Sequence, residues 1–532
     1  MHGRILGAAI ALLALPASAQ ADTVTSTTDS DPGSLRAVVA AAVPGETITF
    51  QAGLGTITLT DPLTIGAELS LVGPATIAMT DGATLRVTSA AQSKLDRITI
   101  TGGEPSVHVD TGADLLVQRS SLAGIVFADG SAGALGGLQD FGNTVLATGD
   151  AVLLGEDADV NVSHNTIVSE TGDAIRLRSH QAQVFLNTLQ GGAGDAGLEL
   201  SACDDAQIVT QNTIGGEGDG VDIAAPGCQV GGTGEDDGNT ITGAAGAGVV
   251  VRATGAGAQV LGNTIADNGG DGVRIEPGAT ARLRQNTIAD NGGLGIDAGP
   301  DGPSGLRPTL TSATREEGGL RVRGTAPAAG GFTLEVFAGA ACDPSGFGEG
   351  ARNLGLVNVA VPAPGGAFDV LVPADTDVGT VATATLTGID QATTEFSGCA
   401  TITDDPGPAG PGPGGPGPGG TTYVPKSAIS SPTGPRRARR LKAIKGTAVD
   451  AARVHVAVTR TGRRCKALTK SGKLKRRACA RPRWIAAKGT ATWKLKLERR
   501  LPPGRYVIRS RATAPDGSVE RTPARVTVRL RT

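Results

Sequence analysis

An internal repeat constrains this chain more than any other feature. The motif Asn-Thr-[Ile/Val/Leu] begins at Asn143, Asn165, Asn187, Asn212, Asn239, Asn263 and Asn286, at spacings of 22, 22, 25, 27, 24 and 23 residues. A second motif, Gly-Asp-[Gly/Ala]-[Val/Ile], follows several copies, as in Gly172-Asp173-Ala174-Ile175, Gly218-Asp219-Gly220-Val221 and Gly270-Asp271-Gly272-Val273. Such a period defines a solenoid, in which each repeat buries its apolar face only against its neighbours. Alternating β-branched runs such as Val221-Asp222-Ile223 and Val273-Arg274-Ile275 select β-coils over helices. The expected fold is all-β: a right-handed parallel β-helix followed by β-sandwich domain(s). The recurring Asn then forms a structural ladder along one corner, each amide bonding the coils above and below. Gly and Asn also tolerate the left-handed backbone that a tight corner needs.

Composition agrees. Aromatics are only 2% of 532 residues, which suits a narrow core of Val, Ile, Leu and Ala, and the 80 glycines follow no Gly-X-Y period, which excludes collagen. Residues 1–21 read as a signal peptide, with Arg4, an apolar run from Ile5 to Leu15, and small residues near Ala19. No segment reads as transmembrane, so the expected location is secreted or extracellular, in association with the cell envelope. Six cysteines suit that compartment, and their positions suggest the pairs Cys203–Cys228, Cys342–Cys399 and Cys465–Cys479.

Charge is divided sharply. Residues 422–532 hold 31 of the 48 Lys+Arg and four acids, a net of +27; the remainder has 17 basic and 47 acidic residues, a net of −30. Boundaries follow: a β-helix with a helical N-terminal cap over 22–307, a β-sandwich over 308–403, a Pro/Gly-rich and basic linker over 404–438, and a basic immunoglobulin- or fibronectin-like sandwich over 439–532. Dense cationic patches occur at Arg436, Arg437, Arg439 and Arg440, and at Lys473, Lys475, Arg476 and Arg477. On an exported protein they predict an anionic cell-envelope polymer or polysaccharide as partner, rather than nucleic acid.

Asp31-Pro32-Gly33-Ser34-Leu35-Arg36-Ala37-Val38, continued by Pro44-Gly45-Glu46-Thr47-Ile48, resembles the CSLREA-type N-terminal motif of secreted bacterial β-helix repeat proteins. Gly33 stands where that motif has its cysteine. The resemblance spans residues 22–403 and implies a β-helix, export, and a short helix over 34–43 closing the open end. Gly348-Glu349-Gly350 and Thr394-Glu395-Phe396-Ser397 resemble a module that often follows such β-helices.

Candidate chemistry lies on the solenoid surface. Aligned repeats put Arg176, Glu199, Asp222, Val250, Arg274 and Asp297 at one outward position. Glu199 and Asp222, one coil apart, have the separation of a paired-carboxylate hydrolase, and Arg274 is a candidate lyase base; Arg176, Glu199, Asp222 and Arg274 are thus the catalytic candidates. A second row, Asp173, Asp195, Asp219 and Asp271, suits corner turns and offers glycan or Ca²⁺ ligands. No cofactor besides Ca²⁺ is suggested. The favoured reading is a non-enzymatic structural, adhesive or glycan-contacting scaffold; the alternative is a polysaccharide lyase or glycoside hydrolase.

Overall fold

The computed structural model describes residues 22–404 except 81, 204–207, 235 and 300–305, and residues 426–531 except 433–435, 438–440, 450, 452, 462–464, 470, 477–482, 490, 498, 514–519 and 521–523. The expected signal peptide lies outside them. The chain divides near residue 406 into two compact units.

The first unit is a parallel β-helix. One of its faces is an 11-stranded parallel sheet running from Leu63–Ile65 to Ile296–Asp297. Most of these strands present only three residues, two facing inward and one outward. The inward residues stack like on like: Val152, Ile175, Leu198, Val221, Val249, Val273 and Ile296 are in register and fully or almost fully buried. The repeat motif explains another face. Its Thr residues pair in register from Thr144 to Thr287 and turn outward or half out, while the following Val145, Ile167, Leu189, Ile214, Ile241, Ile265 and Ile288 are buried. Each buried aliphatic contributes about 1.5–3 kcal/mol.

The motif Asn residues form a continuous buried ladder. Oδ1 of Asn212 accepts from both the backbone N–H (3.0 Å) and Nδ2 (3.0 Å) of Asn187, and Nδ2 of Asn212 donates to Asn239 Oδ1 (3.0 Å) and Val184 O (2.9 Å). The same pattern runs from Asn143 to Asn286. A second, shorter ladder joins Asn268 to Asn291. One expectation needs correction. The left-handed conformation falls on the residue before the ladder Asn, at His164 (φ 61°), Leu186 (φ 60°), Gln211 (φ 59°) and Gln285 (φ 56°), and not on the Asn. Asn is required for its amide, which reaches both neighbouring coils.

At the N-terminal end, the helix Leu35–Ala41 lies on the first coil with Leu35 and Val39 buried. The Ser34 side chain accepts from the Ala37 N–H at its start. Arg36 reaches the carbonyls of Asp61 and Pro62 (both 2.8 Å), covering polar groups beside the first strand of the 11-stranded sheet.

At the other end, residues 309–404 form a seven-stranded assembly that closes the solenoid. Its own core includes Leu320, Val322, Leu334, Val336, Phe368 and Leu386. Phe337 and Phe396, edge-to-face at 5.3 Å, belong instead to the solenoid core. Backbone groups of the last coil end on this plug. Gly350 and Ile288 exchange hydrogen bonds (2.7 and 3.1 Å), and Glu349 accepts from the N–H groups of Asp290 (2.7 Å) and Asn291 (3.2 Å). Glu335 accepts from Gln285 N–H (2.8 Å), and Glu395 from Ala298 N–H (3.1 Å). Carboxylates therefore terminate the backbone ladders. Burial raises all three, Glu335 to about 7. The two short motifs around Glu349 and Glu395 are the contact points of this closure.

In the second unit, Lys426–Ser431, Ala443–Val449 and Thr492–Lys496 form one sheet. The other contains Arg436–Arg437, Ala524–Arg531, Gly504–Thr513, Arg453–Thr461, Lys466–Leu468 and Leu474–Arg476, with Trp484–Ala486 also on Arg453–Thr461. Trp493, Tyr506, Ile444 and Val456 are in its core. Part of the expected linker is thus built into the sheets. Lys426–Ser431 hid from pattern reading because its buried residue, Ser427, is polar; its hydroxyl and N–H bond Glu520. Among the described residues, no helix is long and apolar enough to cross a membrane.

Candidate functional site

The outward position of the 11-stranded sheet carries one residue per coil. Leu153, Arg176, Glu199, Asp222, Val250, Arg274 and Asp297 are in register there, as the repeat alignment requires. Their side chains gather into two clusters.

The first is centred on Arg176. Its guanidinium meets Asp150 (2.8 Å), Asp173 (2.9 Å) and Glu199 (2.8 Å), three carboxylates from three successive coils. Asp173 is 2% exposed and its Oδ1 accepts from Ala196 N–H (2.8 Å). Burial and a shared hydrogen bond with Glu199 push its pKa up to about 8. Burial also raises Glu199, but hydrogen bonds from Asp173 and Ser201 and the adjacent Arg176 more than offset it, so its pKa is lowered. Within the pair, Asp173 is thus shifted toward its protonated form and Glu199 toward its ionised form.

The second is centred on Arg252. It contacts both oxygens of Asp222 (2.9 and 2.6 Å) and reaches Glu276 on the following coil (3.0 Å). Arg274 lies 3.4 Å from Asp219. Burial raises Asp222, with Glu199 and Asp219 adding to it and Arg252 opposing. Val250, an apolar member of the stripe set among charged neighbours, is fully buried although it faces outward.

The catalytic candidates are thus rearranged. Glu199 and Asp222 are register neighbours, but each is engaged elsewhere: Glu199 with Asp173 and Arg176, Asp222 with Arg252. Arg274 faces Asp219, so its guanidinium is engaged by a carboxylate of this chain. Of the corner row, Asp173, Asp219 and Asp271 each accept from a backbone N–H of the next coil, at Ala196, Ala247 and Leu294 (2.7–2.8 Å). These are turn-fixing bonds. Asp195 is half-exposed, and among the described residues no group of three or more His, Cys, Asp or Glu is placed to hold a metal ion. Sequence reasoning missed Asp150, Arg252 and Glu276. A neutral Val250 amid charges was the available sign that a cation from elsewhere covers that coil.

Cys203–Cys228 joins adjacent coils (Cα–Cα 5.0 Å), and Cys342–Cys399 ties the plug to its last strand (5.9 Å). Cys479 lies outside the described residues, as do Arg439, Arg440 and Arg477 and the side chains of Arg436 and Arg437. Lys473, Lys475 and Arg476 are exposed on a hairpin at one edge of the second unit's larger sheet. The backbone of Arg436–Arg437 pairs at its other edge, against Leu530 and Arg531.

A family model described as "Right handed beta helix region" matches residues 83–265 and 150–305, so this part of the chain is a right-handed β-helix repeat region. Among solved structures, the chain is similar to the periplasmic alginate epimerase AlgG, at 13% identity over 49% of this chain and 69% of that one, with a TM-score of 0.36. It is also similar to a tetra-tandem repeat in the extending region of a large adhesion protein (13% identity, 42% of this chain and 49% of that one, TM-score 0.16). The FN1–FN3 domains of chicken CNTN1 match at 14% identity over 42% of this chain and 67% of that one, with a TM-score of 0.14. No curated protein gives a significant match.

Proposed function

We propose that this chain is an exported, cell-surface scaffold without catalytic activity. Its β-helix serves as a rigid, glycan-contacting rod, and its basic C-terminal unit attaches it to an anionic envelope polymer. One observation carries this reading: the arginines on and beside the solenoid stripe are already matched by carboxylates, Arg176 by three from its own and the two adjacent coils, and Arg252 by Asp222, Glu276 and, at 3.9 Å, Asp219. Such a face stabilises a stack and leaves little charge for a substrate. The disulfides and the sequence signs of export support the location.

The test has two arms. The full chain and a truncation ending at residue 404 are incubated with envelope preparations, then washed with rising salt. The scaffold reading expects retention of the full chain, release by salt, and loss of the truncated form. Both are also incubated with neutral and acidic polysaccharides, with and without Ca²⁺. New reducing ends or unsaturated uronate absorbance would overturn the reading.

A second reading, a polysaccharide lyase or glycoside hydrolase, is favoured by the Asp173–Glu199 pair. A buried carboxyl shifted toward its protonated form, a second shifted toward its ionised form, and Arg176 sit together, which is the equipment for acid–base work on an acidic sugar. Cleavage abolished by both Asp173→Asn and Glu199→Gln would establish it.

A further inference from the structure

The larger sheet of the second unit contradicts the charge economy of the solenoid. Arg505 stands directly opposite Arg529, and Arg509 directly opposite Arg525, on adjacent antiparallel strands. Like charges in such positions destabilise a sheet. All four turn away from the core: their neighbours Tyr506, Ile508 and Val528 are the buried residues. Arg505, Arg525 and Arg529 are exposed and Arg509 half-exposed. No described carboxylate answers them. Glu520 is buried, bound to Ser427 and Ala512 N–H, and the unit's other acids, Asp450, Glu498 and Asp516, lie outside the described residues.

The rest of this face has a definite layout. Trp484, Ala457, Arg509 and Arg525 are consecutive register partners, so an aromatic ring, a small residue and two guanidinium groups line one row across the strands. At ~4.8 Å per strand the row spans about 14 Å. Arg511 stacks on the Trp484 ring at 4.7 Å. Between the two arginine rows the register partners are short: Thr459 and Val507, both buried, and the exposed Thr527. Beside it, Arg505, Thr527, Arg529 and Arg531 line an open groove of about 890 Å³.

We infer that this face binds a linear acidic glycan, with Arg505, Arg509, Arg525 and Arg529 on its anionic groups and Trp484 against a sugar ring. Two opposed arginine pairs are relieved by an anion lying between them. A planar guanidinium matches carboxylate, sulfate or phosphate oxygens two at a time. The inference rests on the anchoring role proposed above and names its surface. The described parts of both cationic segments, the Arg436–Arg437 backbone and the hairpin with Lys473, Lys475 and Arg476, lie at the edges of the same sheet, so the centre, and not those edges, is assigned the contact.

The experiment uses the full chain and three polymers: dextran sulfate, unsubstituted dextran and inorganic polyphosphate. Binding is measured by titration calorimetry over a range of salt. The wild type is expected to bind dextran sulfate and not dextran. A variant combining Arg505→Gln, Arg509→Gln, Arg525→Gln and Arg529→Gln should lose at least about tenfold in affinity and show a shallower salt dependence. Its melting temperature should rise, because repulsion is removed, which separates lost binding from lost folding. A variant combining Lys473→Gln, Lys475→Gln and Arg476→Gln should bind within a few-fold of wild type. Trp484→Leu should weaken dextran sulfate more than polyphosphate. Wild-type affinity in the four-arginine variant overturns the assigned face, and if the hairpin variant then loses binding, the anchoring role stands on other residues. Equal effects of Trp484→Leu on both polymers overturn the sugar contact. Failure of the wild type to bind either polyanion overturns the inference and the anchoring role together.

Discussion

Two rows of polar residues run down the solenoid, one residue per coil, and they obey different rules. The Asn row repeats one residue type because its partners are the backbone and itself: Oδ1 of Asn165 accepts from the N–H and Nδ2 of Asn143, and its own N–H donates to Asn187. Only a short amide offers donor and acceptor at that reach. The charged row changes type at nearly every coil because its partners are other side chains. Arg176 and Arg252 span neighbouring coils, and their carboxylates come from different positions in each repeat. The backbone therefore dictates the first row's identity, and pairwise neutralisation dictates only the second row's charge balance.

Substitutions should separate the two. The largest effect is expected from Asn212→Ala, which strands the buried N–H of Asn187 and the carbonyl of Val184; denaturant unfolding should show a loss of about 3–5 kcal/mol. Glu349→Ala tests the place where the shorter Asn ladder ends. It orphans the N–H groups of Asp290 and Asn291 and should cost about 2–3 kcal/mol, seen first as faster hydrogen exchange in the last coil.

The charged row should show itself through pH. Asp173, raised to about 8 from 3.8, keeps its proton in the folded protein after the unfolded chain has lost it. Stability is therefore highest near pH 4 on this account and falls as pH rises toward 8, by at most about 1.4 kcal/mol per pH unit. Asp173→Asn should flatten that slope, and an unchanged slope would refute the upward shift of Asp173. Arg252→Gln should cost only about 1–2 kcal/mol, since its partners Asp222 and Glu276 remain partly solvated. The smallest effect has the opposite sign. Leu186 sits at φ 60° before a ladder Asn, and Leu186→Gly should stabilise by about 0.5–1 kcal/mol in thermal unfolding. Destabilisation there would mean that the Leu186 side chain, not its backbone, matters to the row.

Much of the solenoid was legible from period alone. A recurrence near two dozen residues, alternation within each short strand and a fixed Asn are one-dimensional signals that map onto coil, face and corner. The motifs around Glu349 and Glu395 were visible as well, though not their task of ending the backbone ladders, because an orphan N–H is a property of the last coil and has no sequence mark. The geometry of the candidate stripe was legible only in part. The stripe Arg176–Glu199–Asp222–Arg274 was in the alignment, yet the grouping of Glu199 with Asp173, and the reach of Arg252 to two coils, depended on where long side chains meet above the sheet.

By itself, the sequence determined the repeating coil, its inward aliphatics, the Asn ladder and the concentration of positive charge after residue 422, since each depends on local spacing or on counting. Only the tertiary structure decided which carboxylate each arginine meets, where the left-handed residue falls, how the last coil is closed, and that Arg505 faces Arg529 and Arg509 faces Arg525. Those outcomes depend on registers between strands distant in sequence, where one residue of slip would send every side chain to the opposite face.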